Sequence, residues 1–222
     1  MNEKDLNTIL EVVLKNVLEQ LGETKTETPG NDSACGAIPV ELSARHVHLS
    51  EEDALALFGG PLTPVRELSQ PNQFLCKERV RLIGPKGVMD NVAVLGPSRS
   101  SSQVEISKTD ARLLGVNAPV RQSGDTADTP GIILASQSGI VGLEEGVIIA
   151  SRHIHMSPAD ARTFGLSDKD KVNVHLDSDR PVTLNNVLVR VDENFKLAMH
   201  IDPDEGNGAS WDKSITGRIQ GC

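Results

Sequence analysis

Aromatic side chains are nearly missing from this 222-residue chain, which has four Phe, one Trp and no Tyr. A nucleic-acid surface built on base stacking has almost no platform to use. Cationic excess is missing too: 22 Lys and Arg face 31 Asp and Glu, for a formal charge of −9. The attraction to a phosphate backbone therefore has the wrong sign, and no nucleic-acid partner is expected. A small phosphorylated ligand would need a local device to override that field, and bound metal ions are one such device.

Long apolar runs are also absent. Nothing approaches the roughly 18–20 residues that span a bilayer, so no membrane partner is expected. Residues 1–21 carry Glu3, Lys4, Asp5, Glu11, Lys15 and Glu19, which deny a secretory signal its apolar centre. Cys35, Cys76 and Cys222 are odd in number, widely spaced and without a CxxC pair. Free thiols in a reducing cytosol are expected, rather than a disulfide framework.

The chain does have an ordinary globular balance, 38% hydrophobic and 24% charged, and enough length for one large domain or two small ones. Leu6, Ile9, Leu10, Val13, Val17 and Leu21 recur at helical spacing and predict an amphipathic helix over 1–21. A breaker-rich linker follows over 22–36. So short a helix needs a surface for its stripe, either a partner's or the chain's own core. From Ala37 onward the texture changes to short β-branched runs bounded by Gly, Pro, Asp or Asn. Strands are predicted around Val80–Ile83, Val88–Leu95, Gly131–Ala135, Gly146–Ala150, Lys171–Leu176 and Val187–Val191. The fold expected is mainly β with short helices, arranged as small β-barrels.

Three stretches repeat one pattern: His46-Val-His48-Leu-Ser50-Glu-Glu-Asp53-Ala54, Gln103-Val-Glu105-Ile-Ser107-Lys-Thr-Asp110-Ala111 and His153-Ile-His155-Met-Ser157-Pro-Ala-Asp160-Ala161. Ser followed three residues later by an acid resembles a capping box. Each copy therefore reads as a strand end delivering side chains, then a capped helical turn closed at Gly59, Gly115 or Gly165. The pattern sets His48, Glu105 and His155 at equivalent positions.

On a strand, residues i and i+2 share a face about 6.5–7 Å apart, so the two imidazoles of an HxH can converge on one cation. One HxH is a weak signal, whereas two copies within the same repeat point to metal binding. Imidazole and carboxylate without convincing thiolates suggest zinc ahead of manganese, cobalt or iron. Each pair needs a further ligand; Glu105 is either the third ligand of the first pair or a solvated strand-end acid, and His200 suits the second pair. Three ligands per ion leave positions open for substrate. Arg99, in the hydroxyl-rich segment Gly96-Pro-Ser-Arg-Ser, is either a phosphate-binding guanidinium or an ordinary loop cation. Arg45 and Arg152 alternate away from the histidines and suit structural salt bridges. His175 is expected to be exposed and uninvolved. Asp202, Asp204, Glu205 and Asn207 are either groups that orient imidazoles or a polar turn, and Trp211 is either core or a ligand cover.

The paired Arg-His-x-His-Leu/Met-Ser motifs, with Gly96-Pro-Ser-Arg99, Glu105 and Met199-His200-Ile-Asp202, resemble the PduL-type phosphate propanoyltransferases (phosphotransacylases) of bacterial microcompartments over residues 37–215. The resemblance implies interconversion of acyl-CoA plus phosphate with acyl phosphate plus coenzyme A. It implies two β-barrels meeting at a site with two Zn2+, one barrel from 37–46 with 151–222 and the other from 47–150. By matching positions, His46, His48 and Glu105 would hold one zinc, His153, His155 and His200 the other, and Arg99 would bind phosphate. Residues 1–21 are similar to an encapsulation peptide, which implies shell proteins as partners and a place inside a microcompartment in the cytoplasm. Two other readings stay open on sequence: a dinuclear metallohydrolase of a thioester or phosphoester, and a zinc-stabilised scaffold. Acyl-chain preference, the coenzyme A contacts and the choice between monomer and homo-oligomer carry no sequence signal.

Overall fold

The computed structural model describes residues 36–221. The predicted helix over 1–21 and all but the last residue of the predicted linker lie outside the described residues. Among these described residues, fifteen strands and four short helices follow in chain order. The strands are β1 (Ile38–Leu42), β2 (His46–Ser50), β3 (Pro64–Glu67), β4 (Phe74–Ile83), β5 (Val88–Arg99), β6 (Gln103–Glu105), β7 (Val120–Arg121), β8 (Ile132–Ala135), β9 (Ile140–Leu143), β10 (Val147–Ala150), β11 (His153–Met156), β12 (Lys171–Asp177), β13 (Val182–Val191), β14 (Ala198–Ile201) and β15 (Thr216–Ile219). The helices are α1 (Glu51–Phe58), α2 (Lys108–Leu114), α3 (Pro158–Phe164) and α4 (Pro203–Gly208). Among the described residues, no helix is long and apolar enough to cross a membrane.

The protein is mainly β. Six strands close a barrel in the order β1-β14-β11-β13-β12-β15. The other nine form a half-barrel sheet, β7-β10-β6-β2-β5-β4-β8-β9, with β3 beside β4. Each has its own core. Val47, Leu49, Val94, Val104, Leu57 and Leu134 fill one, and Ile154, Met156, Val174, Leu176, Val189 and Met199 fill the other. The alternation read from sequence holds where it matters, since Val47 and Ile154, between the paired histidines, are completely buried.

The repeat is a real structural unit. Ser50, Ser107 and Ser157 are N-caps in extended conformation, each accepting from the backbone N–H three residues on. Ser107 with Asp110 and Ser157 with Asp160 complete reciprocal capping boxes. Gly59, Gly115 and Gly165 close the three helices at φ of 74°, 78° and 66°, a left-handed backbone that disfavours any side chain.

A fourth copy escapes a search for Ser-x-x-Asp. β14 runs into α4 as His200-Ile-Asp202-Pro-Asp-Glu205, with Asp202 as N-cap and Glu205 completing the box. Asp replaces Ser, and Glu replaces Asp, without changing the capping chemistry. The helix ends differently, at Ala209 without a left-handed residue. The four copies form two antiparallel pairs, β2 with β6 and β11 with β14.

Candidate metal and anion site

The two antiparallel pairs build the same arrangement twice. His46 lies directly opposite Glu105, and His153 directly opposite His200. In each pair one strand contributes two candidate ligands and its partner one. All six, together with Arg99, line a single cavity of about 790 Å³.

In the first trio, His46 Nε2 is 3.5 Å and His48 Nε2 3.9 Å from the Glu105 carboxylate. One ligand atom from each residue lies within 4.8 Å of the others, and all three residues are buried. A tetrahedral ion with bonds of about 2.0–2.1 Å separates its ligand atoms by about 3.3 Å, so little closure is needed. In the second trio, the rings of His153 and His200 stack at 5.2 Å, with His155 at 4.6 Å from one and 4.8 Å from the other. Among the described residues, only the first trio brings its three ligand atoms within 4.8 Å of one another.

Hydrogen bonds fix the ring orientations. His46 Nδ1 lies 2.8 Å from the Ala44 carbonyl and His153 Nδ1 2.8 Å from that of Ser151. A carbonyl can only accept, so both Nδ1 atoms carry the proton, and in each neutral ring the lone pair is left on Nε2. The buried Nδ1 of His155 and Nε2 of His200 have no hydrogen-bond partner. Two orphaned imidazole nitrogens in one small space are costly unless a ligand takes them up. A donor set of five imidazoles and one carboxylate, with no thiolate, suits zinc.

Burial and mutual repulsion keep most of these imidazoles neutral. Burial, aided by His46 and Arg99, lowers the His48 pKa to about 3. Burial and His200 lower that of His153 to about 4. Burial with His153 and His200 lowers that of His155 to about 2, and burial and Arg190 lower that of His200 to about 4. His46 is the exception, because the Glu105 carboxylate outweighs burial and holds its pKa above the ordinary value. Burial alone would raise Glu105, but His46, His48 and Ser123 hold it well below the usual carboxylate range. Neutral imidazole and ionised carboxylate are the forms that bind a cation.

The strand predicted to stop at Leu95 continues to Arg99 through a cis Gly96–Pro97 bond, so Arg99 ends a strand rather than riding on a loop. The strand persists because β5 runs parallel to β2, with Ser50 paired to Arg99 past a register shift. Arg99 donates to Ser123 Oγ and to His48 Nε2, both at 2.9 Å. Ser123 donates to Glu105 Oε1 at 2.7 Å, and Gln103 Nε2 reaches the same oxygen at 2.5 Å.

Ser123, Arg190 and Glu41 are absent from the sequence reading, and Gln103 enters it only as the first residue of a repeat copy. Gln103 holds the repeat position of His46 and His153, a usable signal. Arg190 lines the cavity, lies across from His155 on β13 and packs its guanidinium 5.6 Å over the Phe195 ring. Glu41 lies across from His200 on β1, with its carboxylate 3.8 Å away. These contacts, like that of Ser123, are made by tertiary pairing, and no local pattern announces them.

The undecided residues now have places. Glu205 pairs with Arg152, Asp202 caps α4, and Asp204 accepts from the Thr109 N–H at 2.8 Å. Trp211 does both of its jobs, lining the cavity while its indole donates to the Val40 carbonyl. His175 is half-buried, bonded to Thr183 and apart from the cavity. Cys76 is a free, buried thiol.

The family model for phosphate propanoyltransferase matches residues 39–212. This chain belongs to that family. It is 51% identical over 208 residues to the phosphate propanoyltransferase of Alkaliphilus metalliredigens, covering 93% of this chain and 97% of that one. The Enterococcus faecalis protein of the same name is 46% identical over 222 residues, 99% of each chain. That of Thermotoga maritima is 55% identical over 175 residues, 78% of this chain and 83% of the relative. Members of this family are acyltransferases, and the cavity belongs to a phosphate acyltransferase.

Proposed function

We propose that the protein is a zinc-dependent phosphate propanoyltransferase that interconverts acyl-CoA plus phosphate with acyl phosphate plus coenzyme A. Propanoyl and acetyl groups are its expected acyl chains. On this reading His46, His48 and Glu105 hold one zinc and His153, His155 and His200 the other. The supporting observation is that both trios and Arg99 share the wall of one cavity, where His155 Nδ1 and His200 Nε2 are buried without a hydrogen-bond partner. Bound zinc would supply Lewis acidity for the thioester carbonyl and charge to offset phosphate and the leaving thiolate.

The chain's own residues do the positioning. Arg99 offers a guanidinium fork to phosphate oxygens, held in place by Ser123, which also fixes Glu105. Arg190 lines the same cavity and adds a second cation. The cavity strips water from phosphate, which is a poor nucleophile when solvated. One phosphate oxygen then bonds to the acyl carbon as the carbon–sulfur bond breaks, and coenzyme A leaves as a thiolate that takes a proton from solvent.

Attack is direct, without an acyl-enzyme. Among the described residues, no serine hydroxyl or cysteine thiol is hydrogen-bonded to an imidazole, as an activated nucleophile would be. Burial, with Glu78, pushes the Cys76 thiol up to about 11, and Cys76 lies outside the cavity. Residues 1–21 act as an encapsulation peptide toward microcompartment shell proteins. Deleting them should abolish co-localisation with those proteins, and unchanged co-localisation would refute that role.

The deciding assay is release of free thiol from propanoyl-CoA and acetyl-CoA, with and without phosphate, before and after chelation. Release that needs both phosphate and metal supports the proposal. Release without phosphate would make the protein a hydrolase, and full activity after chelation would remove the metals from the mechanism.

A further inference from the structure

The arginines that precede the two HxH strands make corresponding bonds in the two halves of the molecule. Arg45 grips Asp110 with two bonds, Nε to Oδ2 at 2.9 Å and Nη2 to Oδ1 at 2.8 Å. Asp110 is buried and is the third residue of α2, locked in the capping box that follows Glu105. Arg152 bonds Glu205 at 2.5 Å through Nη1, while Nε and Nη2 hold the Asn185 carbonyl at 3.0 and 2.8 Å. Glu205 is the third residue of α4, locked in the capping box that follows His200.

Each pair therefore closes a ring. Chain leads from Arg45 to His46, the ladder crosses to Glu105, and chain leads on through Ser107 to Asp110 and back. The second ring runs from Arg152 to His153, across to His200, and through Asp202 to Glu205. Two candidate ligands sit face to face on every ring. The two corresponding acids on the other helices are not held this way: Asp53 accepts from Ser102, and Asp160 stays within its own box with Ser157. Only helices that follow a one-ligand strand are tied back to the arginine of the two-ligand strand. Elsewhere among the described residues, arginine–carboxylate pairs such as Arg81–Asp90 and Arg121–Asp125 join exposed side chains.

A general stabilising ion pair has no reason to recur at this one place in both halves. We infer that Arg45 and Arg152 are positioning residues, each setting the metal affinity of its own trio by fixing the two ligand-bearing strands against each other. Partners beyond the ligands typically govern affinity by about 10- to 100-fold, because they decide how much of the ligand geometry is formed before the ion arrives. The inference rests on the metal reading given above.

The test is a crossover in full-length chains. His155→Ala leaves only the first trio complete, and His46→Ala only the second. Zinc affinity is measured by competition with a chromophoric chelator, and circular dichroism of the metal-free chain checks folding. Arg45→Met is expected to weaken zinc binding at least tenfold in the His155→Ala chain and less than twofold in the His46→Ala chain. Arg152→Met is expected to do the reverse. Equal losses in both backgrounds would reduce the pairs to general stability, and no loss in either would remove their role; both results overturn the inference. If a Met variant fails to fold, Arg45→Lys or Arg152→Lys keeps the charge, loses the fork, and must give the same crossover. If the His155→Ala and His46→Ala chains bind no zinc with both arginines intact, the metal reading itself has failed.

Discussion

His153 and His200 stand directly opposite each other on β11 and β14, rings stacked at 5.2 Å, as His46 stands opposite Glu105 on β2 and β6. Two candidate ligands of each trio are thus cross-strand neighbours, and the third comes from i+2 on the same strand. An antiparallel ladder holds such neighbours about 4.5–5.5 Å apart at the Cα atoms, so the sheet assembles most of each site before any side chain chooses a rotamer.

Replacing one of these neighbours should be severe. His200→Ala is expected to lower phosphate-dependent thiol release by at least 100-fold, and His155→Ala likewise, with one metal ion lost per chain in each case. Steady-state assay with elemental analysis of the same sample checks this, and near-normal turnover at full metal content would contradict it.

Arg99 should act on phosphate and not on the thioester substrate. Arg99→Lys keeps the charge but loses the fork that spans Ser123 and the cavity. A hydrogen bond to a charged group is worth about 1.5–3 kcal/mol, and about 1.4 kcal/mol is tenfold. The KM for phosphate should rise at least tenfold while that for acyl-CoA changes little, as initial-rate measurements with each substrate varied will show.

Acid should destabilise the metal-free chain. The pKa values of His48, His153, His155 and His200 are about 3, 4, 2 and 4 folded, against 6.5 when unperturbed. Between pH 6.5 and 4 the unfolded chain takes up protons that the folded chain refuses, so stability falls as pH falls. Each such group contributes up to about 1.4 kcal/mol per pH unit. His46, raised above 6.5, works the other way, and Glu105, lowered below 4.5, adds its own loss only as unfolded carboxylates begin to protonate. Urea midpoints of the chelated protein should drop between pH 7 and pH 5. A flat or rising midpoint would mean that the imidazoles are not held neutral.

Gly165 offers a control away from the cavity. Its φ is 66°, and a Cβ there would meet nothing within 4 Å, so Gly165→Ala adds backbone strain alone. A loss of about 1 kcal/mol, read as a lower urea midpoint at unchanged slope, is expected with catalysis intact.

Much of this was legible in the sequence because it is written locally. β-branched runs marked strands, Ser-x-x-Asp marked caps, and glycine marked helix ends. The HxH spacing placed two imidazoles on one face of each strand. Arg45 and Arg152 were read correctly as salt-bridge residues, although their partners were not. What stayed hidden depends on pairing between distant segments. Ser123 reaches Glu105 from a turn with no motif, and Arg190 faces His155 only because β13 runs parallel to β11. The fourth repeat was missed because Asp202 and Glu205 perform the capping with different letters.

Calorimetric titration of zinc into the metal-stripped, full-length chain tests the central claim most directly. Two ions should bind per chain, falling to one in His46→Ala and one in His155→Ala, and none tightly in the double variant. A wild-type chain that takes up no zinc, or whose stoichiometry ignores both substitutions, would contradict it.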